Sequence, residues 1–322
     1  MIEVLTTGPQ NTVQDLGRSL YRNIGVAISG AMDGLALRVG NRLLGNADGL
    51  AALEVQTFPL RVRFGADTAI ALTGADGQAQ LDDQPLLPWW AVTVKAGQTL
   101  SISYPRSGAR VYLCVAGGID VPELMGSRST SLRGGFGGFE GRVLQAGDVL
   151  ATGATAALPL PAGGLGVRPP VQAMAEVFAS DPDGTVLLRA IPAGEYGLFE
   201  RDQQRFWRQP WKISAQSNRT GYRLSGEPIV PHTTMEMRSY GLVPGVVQVP
   251  PGGEPIIQLS DANTAGGYPK IAGVIDADLW RLGQAAIGSR IRFVEAGPQE
   301  AIAAEQAIEA YLEDVQRLRA MF

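Results

Sequence analysis

The polar residues best suited to chemistry lie in one short segment near the end of the chain, SDANTAGGYPK at 260–270. It begins where an apolar strand-like run, PIIQL, ends, and it finishes where another, IAGVI, begins. Loops held by rigid strands are where binding and catalytic residues concentrate, and a plain turn needs fewer polar groups. We therefore predict a functional loop, with Asp261 as a base or orienting group and Lys270 as a counter-charge. The backbone amides of Gly266 and Gly267 would form an oxyanion cradle.

A second segment, SNRTGYRL at 217–224, contains two arginines four residues apart around a glycine. Arg219 and Arg223 could clamp a carboxylate or phosphoryl oxygen through bidentate hydrogen bonds, or they could pair with surface acids. We predict catalytic roles for Asp261, Lys270 and Arg219. We predict substrate binding by Asn218, Arg223, Thr264, Gly266, Gly267, Tyr268 and Gln248.

Two segments near the start of the chain are also polar, QNTVQDLGR at 10–18 and SGAMD at 29–33. The first suits a hairpin turn in which Asp15 bonds its own backbone, or equally a site. The second suits a helix N-terminus that offers amides to an anion, whereas Asp33 is also explained as a partner of the helix dipole. Residues predicted to serve either an interface or the pocket are Gln14, Asp15, Arg18, Ser29 and Asp33.

Glycine pairs are concentrated in the middle of the first half, at 117–118, 134–135 and 137–138. Glycine lets the backbone approach another strand or a ligand closely. The segment is not a phosphate-binding P-loop, because no GK[ST] follows it. Either tight barrel corners or a mobile substrate loop would account for these glycines.

The composition excludes several classes of protein. A net charge of −4 and a pI near 5.2 argue against nucleic-acid binding, which requires clustered positive charge. With only Cys114 and His232 of their types, a disulfide or a cysteine- or histidine-rich metal site is not expected. We interpret Cys114 as a buried small side chain and His232 as a bystander. The chain has no apolar run of ~18 residues and no signal-peptide pattern at its start, so we expect a cytoplasmic protein without a membrane segment.

Short β-branched runs separated by turn residues predict a mainly β fold with two β-barrel lobes. Helices are predicted at 31–44, capped by Ser29 and Gly30, at 196–207, and after Pro298. The stretch 151–184 is rich in Ala, Pro and Gly and is predicted to be a linker. The predicted organisation is one lobe at 1–150, the linker, a second lobe at 185–296 and a C-terminal helix at 297–322.

Several segments, in this order, resemble the family called allophanate hydrolase subunit 2 or biotin-dependent carboxyltransferase. They are TVQDLGR, SGAMD, LEV, LTGA, YLCVAGGIDVPELMGSRST, SNRTGYR and GVVQVPPGGEPIIQLSDANTAGGYPKIAGVI. Within this family, the chain resembles the stand-alone C subunits of bacterial 5-oxoprolinases. The resemblance covers residues 2–296 apart from the linker, and it implies two cyclophilin-like lobes. It also implies partners, the B and A subunits of 5-oxoprolinase, with which such proteins convert 5-oxo-L-proline to L-glutamate at the expense of ATP.

The same resemblance leaves two alternative functions open. Fused relatives transfer a carboxyl group from carboxybiotin, as in urea carboxylase, and others antagonise an inhibitor of a histidine kinase. The sequence contains no biotin-acceptor Ala-Met-Lys-Met, so no biotin is expected on this chain, and ATP would bind in the complex rather than necessarily here. The chain departs from the family's pattern at Thr220, Ala265 and Tyr240, and Tyr240 bears on which substrate is bound.

Overall fold

The computed structural model describes residues 1–154, 159–179, 181–233 and 237–322. The chain divides into two compact units. The first unit comprises Met1–Arg18, Ser29–Ala173 and Ala310–Phe322, and the second comprises Ser19–Ile28 and Met174–Glu309. None of the helices in the described ranges is both long and apolar enough to span a membrane.

Thirteen strands of the described chain belong to the first unit. They are β1 (Ile2–Thr6), β2 (Thr12–Gln14), β3 (Ala52–Val55), β4 (Leu60–Phe64), β5 (Thr68–Gly74), β6 (Gln80–Leu81), β7 (Gln84–Pro85), β8 (Trp90–Val94), β9 (Thr99–Ile102), β10 (Val111–Val115), β11 (Ile119–Asp120), β12 (Val149–Thr152) and β13 (Leu165–Gly166).

Nine strands of the described chain belong to the second unit. They are β14 (Val186–Pro192), β15 (Trp211–Ile213), β16 (Gly221–Ser225), β17 (Tyr240–Gly241), β18 (Val246–Gln248), β19 (Ile256–Gln258), β20 (Ala265–Gly266), β21 (Lys270–Val274) and β22 (Arg290–Glu295). The α-helices are α1 (Gly34–Leu43), α2 (Pro170–Ala173), α3 (Gln203–Arg208), α4 (Leu279–Gln284) and α5 (Pro298–Arg319). Short 3-10 helices cover Ser19–Ile24, Tyr196–Phe199 and Asp276–Asp278.

The first unit contains two antiparallel sheets around one apolar core. Their strand orders are β11-β12-β1-β4-β9-β6-β7 and β13-β8-β5-β10-β3-β2. The alternation in β4 shows how the sequence sets the core face: Leu60, Val62 and Phe64 are buried, whereas Arg61 and Arg63 between them are exposed. Apolar side chains from both sheets join one buried cluster. The prediction of a mainly β fold is confirmed.

The second unit is built on a closed barrel of seven strands in the order β14-β21-β18-β19-β16-β15-β22. The barrel closes through a parallel pairing of β14 with β22, with Val186 opposite Ile291. Closure leaves these strands without a free edge and places the loops of neighbouring strands side by side at each end. The barrel thus explains how residues far apart in sequence come together.

Two helix predictions need correction at their ends. Helix α1 begins at Gly34, not near Ala31, because the side chain of Asp33 accepts a hydrogen bond from the Ala36 N–H at 2.8 Å and is the N-cap. Ser29 has a φ of 55° and lies upstream of the helix, so it is not the cap. The segment predicted as one helix at 196–207 is instead a 3-10 turn followed by α3. The helix after Pro298 is observed as α5.

Part of the predicted linker is folded. Strand β13 pairs with β8 through Leu165 and Ala91, and α2 follows it. Residues 155–158 and 180 of the predicted linker lie outside the described residues. The predicted domain boundaries themselves remain predictions.

Candidate functional site

Arg219 and Asp261 form a buried ion pair at one end of the barrel. Strands β16 and β19 pair with Gly221 opposite Gln258, so the residues before β16 and after β19 emerge side by side. The Asp261 N–H donates to the Arg219 carbonyl at 3.0 Å, which fixes the two backbones together. Arg219 Nε donates to Asp261 Oδ2 at 2.9 Å and Nη2 donates to Oδ1 at 3.2 Å.

This geometry is bidentate, and the two residues are only 5% and 7% exposed. Both carboxylate oxygens of Asp261 are therefore engaged. A carboxylate held in this way is better suited to orienting the loop than to removing a proton. Both predicted roles of Asp261, as a base and as an orienting group, remain predictions.

Lys270 belongs to a different cluster from Asp261. It starts β21, and its ammonium lies 3.5 Å from the ring centroid of Tyr240 and 3.8 Å from Glu195 Oε2. Glu195 Oε2 also accepts the backbone N–H of Lys270 at 3.0 Å and lies 3.5 Å from the Tyr240 hydroxyl oxygen. Among the described residues, no acceptor lies within hydrogen-bond distance of the Lys270 ammonium. The ammonium is thus held between an aromatic ring and a carboxylate.

Glu195 is the member of this cluster that sequence reasoning missed. It follows β14, and β14 pairs with β21 through Pro192 and Ala272, so Glu195 and Lys270 meet although they are 75 residues apart. Burial, together with the neighbouring Glu195 carboxylate, raises the pKa of Tyr240 to about 12. The Tyr240 phenol is therefore neutral, and its O–H donates a hydrogen bond to the Tyr268 carbonyl at 2.9 Å.

Gln248 and Gly266 pack together beside this cluster. The buried Gln248 side chain donates to the Tyr268 carbonyl at 3.2 Å and accepts from Gln258 Nε2 at 3.1 Å. A Cβ at Gly266 would lie 2.8 Å from Leu242 Cδ1 and 3.0 Å from Gln248 Nε2. A larger residue here would displace the ends of the Leu242 and Gln248 side chains, which gives Gly266 a packing role beside its predicted role as an amide donor.

The other predicted substrate-binding residues are dispersed. Asn218 Oδ1 accepts the Thr220 N–H at 2.8 Å, which is a local turn. The Thr264 carbonyl accepts the Leu242 N–H at 3.0 Å. The predicted arginine clamp is not observed, because Arg219 is paired with Asp261 whereas Arg223 is exposed on β16.

Two predicted residues of the loop face solvent or a neighbouring segment. Tyr268 is 46% exposed. A Cβ at Gly267 would lie 3.0 Å from the Met237 carbonyl. Gly266 and Gly267 precede Lys270 by only a few residues in the sequence. The oxyanion cradle predicted for their backbone amides remains a prediction.

In the first unit, Asp15 is a buried hub for a neighbouring loop. Its Oδ1 accepts the hydroxyls of Ser127 at 2.7 Å and of Ser129 at 2.5 Å, and Oδ2 accepts the Arg128 N–H at 2.5 Å. Arg18, only 2% exposed, donates to the Ser129 carbonyl at 2.6 Å. These contacts join two segments more than a hundred residues apart in sequence.

Gln14, Ser29 and Asp33 are also buried in the first unit. Gln14 Oε1 accepts the Gly30 N–H at 3.1 Å, and Asp33 caps α1. The Asp33 N–H donates to the hydroxyl of Tyr112 at 2.8 Å. Every residue of the predicted interface-or-pocket set is thus buried in this unit, and its role at an interface or a pocket remains a prediction.

The glycine-rich segment contains close backbone approaches. Gly137 and Gly138 have positive φ, and a Cβ at Gly138 would lie 1.8 Å from Thr130 Oγ1. A cavity of about 420 Å³ lies beside this segment and is lined partly by Phe136 and Phe139. The predicted tight corners are observed, whereas the alternative of a substrate loop remains a prediction.

The two residues set aside in the sequence have simple environments. His232 Nδ1 lies 2.8 Å from the Leu198 carbonyl oxygen. Cys114 is fully buried, and burial raises the pKa of its thiol well above the ordinary range. Within the described ranges, His, Cys, Asp and Glu form no group of three or more suited to hold a metal ion.

Comparison with known proteins identifies relatives over nearly the whole chain. The chain is 43% identical over 316 residues to the C subunit of 5-oxoprolinase from Escherichia coli (strain K12), with 98% of this chain and 97% of that protein covered. It is 41% identical over 319 residues to the corresponding C subunit from Haemophilus influenzae, with 99% and 98% covered. The crystal structure of the K. lactis urea amidolyase superposes with a TM-score of 0.84 at 30% identity, over 98% of this chain and 20% of that one.

A family model described as carboxyltransferase domain, subdomain A and B, matches residues 24–295. This range includes the Arg219–Asp261 pair and the cluster of Glu195, Tyr240 and Lys270. The chain belongs to the carboxyltransferase domain family, subdomain A and B.

Proposed function

We propose that this chain is the C subunit of an ATP-dependent 5-oxoprolinase, which opens 5-oxo-L-proline to L-glutamate together with the A and B subunits. The observation that carries the proposal is the identity of 43% to the C subunit of a 5-oxoprolinase, because it extends over 98% of this chain and 97% of that protein. A shared fold alone would not specify an activity. Similarity over nearly the whole of both chains supports a role as the same separate subunit.

The proposed reaction requires an energy source. The five-membered lactam of 5-oxoproline is unstrained and its amide is stabilised by resonance, so water attacks it slowly. Transfer of the ATP γ-phosphoryl group to the lactam oxygen would make the ring carbon an electrophile, and water would then open the ring. Overall, 5-oxoproline, ATP and two waters give glutamate, ADP and phosphate. The proposal assigns ATP to the complex and not to this chain alone.

Lys270 is the residue of this chain best placed to act on such chemistry. Charge develops on oxygen when the lactam is phosphorylated and opened, and a fixed cation in a partly dehydrated site stabilises it. The Lys270 side chain is 23% exposed, and its position is fixed by the Tyr240 ring and Glu195. Arg219 and Asp261 would hold the loop that leads to Lys270, as a bidentate pair.

Carboxyl transfer is the alternative that a specific observation favours. The K. lactis urea amidolyase shares the fold with a TM-score of 0.84, although this chain spans only 20% of it. In that case the same lysine would stabilise a carboxylate being transferred to an acceptor amide. The chemistry of the charged oxygen is similar, so the substrate must decide between the two functions.

One experiment separates the alternatives and tests Lys270. The complex containing this chain is supplied either with 5-oxoproline and ATP or with urea and carboxybiotin, and glutamate and carboxylated urea are measured. We expect glutamate only. Lys270→Met should reduce kcat by at least about a hundredfold, the effect of removing one oxyanion-stabilising group. Lys212→Met is the control, because Lys212 is exposed on β15. Carboxylated urea without glutamate would contradict the proposal.

A further inference from the structure

A groove of about 620 Å³ lies on the second unit, bounded by the strands β14, β18 and β21 and by the first turns of α5. We call it the α5 groove. Its walls are mainly aliphatic, with Ile191, Val246 and Ile275 from the barrel side and Ile302 from the helix. None of these residues belongs to the Lys270 cluster or to the Arg219–Asp261 pair.

The rim of the α5 groove exposes large apolar side chains. Val243 is 46% exposed and Ile302 is 51% exposed, although other aliphatic residues of α5 such as Leu312 are buried. The wall of the groove is open at Gly273, where a Cβ would meet no atom within 4 Å. Exposed aliphatic side chains around a concave surface are one form that an interaction site takes.

The charge of the α5 groove limits what can occupy it. The described residues that line it include two exposed carboxylates, Asp276 and Glu305, and no lysine, arginine or histidine. Both 5-oxoproline and ATP are anions, so this lining repels the small molecules of the proposed reaction. A second copy is also disfavoured, because a symmetric pair would bring the same carboxylates together on a chain with a net charge of −4.

We propose that the α5 groove docks a segment of another subunit of the oxoprolinase complex, one that inserts aliphatic side chains and places a lysine or arginine against Asp276 and Glu305. The identity of the partner rests on the proposed function. Ile302 is the central apolar contact of the docked segment. The carboxylates give the docking its orientation and its dependence on salt.

The first test replaces Ile302 by aspartate in the full chain, with Ile287→Asp as the matched control. Ile287 is 50% exposed, against 51% for Ile302, and does not line the groove. Affinity for the purified partner subunits is measured by calorimetry. We expect Ile302→Asp to weaken binding by about tenfold or more and the control to bind as the wild type does. Equal affinity of Ile302→Asp and wild type would overturn the docking proposal.

The second test fills the groove without adding charge. Gly273→Val is compatible with its place in β21, since the position has open space and no positive φ. We expect an unchanged melting temperature and weaker binding of the partner subunits. If Gly273→Val binds the partner subunits as tightly as the wild type does, the proposal is overturned. This holds even where Ile302→Asp binds weakly because its own fold is disturbed.

Two further measurements identify the occupant. With wild-type chain, raising the salt concentration should weaken the complex, and Asp276→Asn combined with Glu305→Gln should reduce that salt dependence. The chain alone is also tested for self-association. If it self-associates and Ile302→Asp abolishes this, the groove binds a second copy of the chain, and the proposal that it docks another subunit is overturned. If the wild-type complex turns over 5-oxoproline and no groove variant changes the affinity between the subunits, the docking proposal is refuted and the proposed function is not. Failure of the wild-type subunits to associate or turn over refutes the proposed function as well.

Discussion

Replacing Asp261 by alanine should destabilise the second unit. The change leaves the guanidinium of Arg219, 5% exposed, without its bidentate carboxylate. Removing one partner of a buried ion pair typically costs about 3–5 kcal/mol. Domains are stable by only about 5–15 kcal/mol, so the loss is a large part of the total. Asp261→Ala is therefore expected to change the stability of the fold as well as any activity that depends on Asp261.

A double-mutant cycle separates this effect from simple loss of contacts. Arg219→Met and Asp261→Ala are made singly and together. We expect each single variant to lose about 3–5 kcal/mol and the double variant to lose far less than the sum, because both charges of the pair are removed together. Urea unfolding is followed by tryptophan fluorescence, to which Trp207, Trp211 and Trp280 of the second unit and Trp89 and Trp90 of the first contribute.

The reasoning about this pair has a clear counter-result. If Asp261→Ala unfolds within about 1 kcal/mol of the wild type, as an exposed pair would, the pair does not hold the loop. If that stable variant is also inactive in the complex, Asp261 takes part in the chemistry directly, as a base would.

Two other predictions concern an ionisable group and a backbone position. Glu195→Gln should lower the pKa of Tyr240 from about 12 towards 10.0, because a negative charge beside the phenol is removed. Because the pKa of Tyr240 is raised on folding, its contribution to the free energy of unfolding is fully present below pH 10 and is lost as the pH rises through about 12. In Glu195→Gln this loss should be complete at a lower pH. Tyrosinate absorbance, with Tyr240→Phe as the subtraction control, measures the shift, and an unchanged titration contradicts the contact. Gly138→Ala should lower the melting temperature far more than Gly147→Ala: both have positive φ, but only at Gly138 does a Cβ collide, 1.8 Å from Thr130 Oγ1. Equal effects of the two alanines would show that the approach is not tight.

The fold class was predictable because the strands carry local signals. In β4, buried and exposed residues alternate as its sequence LRVRF indicates, and β10 is buried throughout as its apolar run VYLCV indicates. The start of α1 was less predictable, since Ser29 and Asp33 are both suitable caps by residue type. Only the backbone decides between them, and it places Ser29 at a φ of 55°.

Most residues of the candidate site could be predicted from the sequence, but the contacts between them could not. Arg219 and Asp261 stood out separately, in two polar loops, and the pairing of β16 with β19 joins them. Glu195 carried no signal of its own, because its role depends on the pairing of β14 with β21. The Asp15 contacts with Ser129 cross 114 residues and depend on tertiary structure in the same way.

The most direct test of the central claim is release of glutamate from 5-oxoproline and ATP by the purified A and B subunits, with and without this chain. We predict release only when all three are present, and recovery in proportion to the amount of this chain added back. Equal glutamate release in its absence would contradict its assignment as a required oxoprolinase subunit.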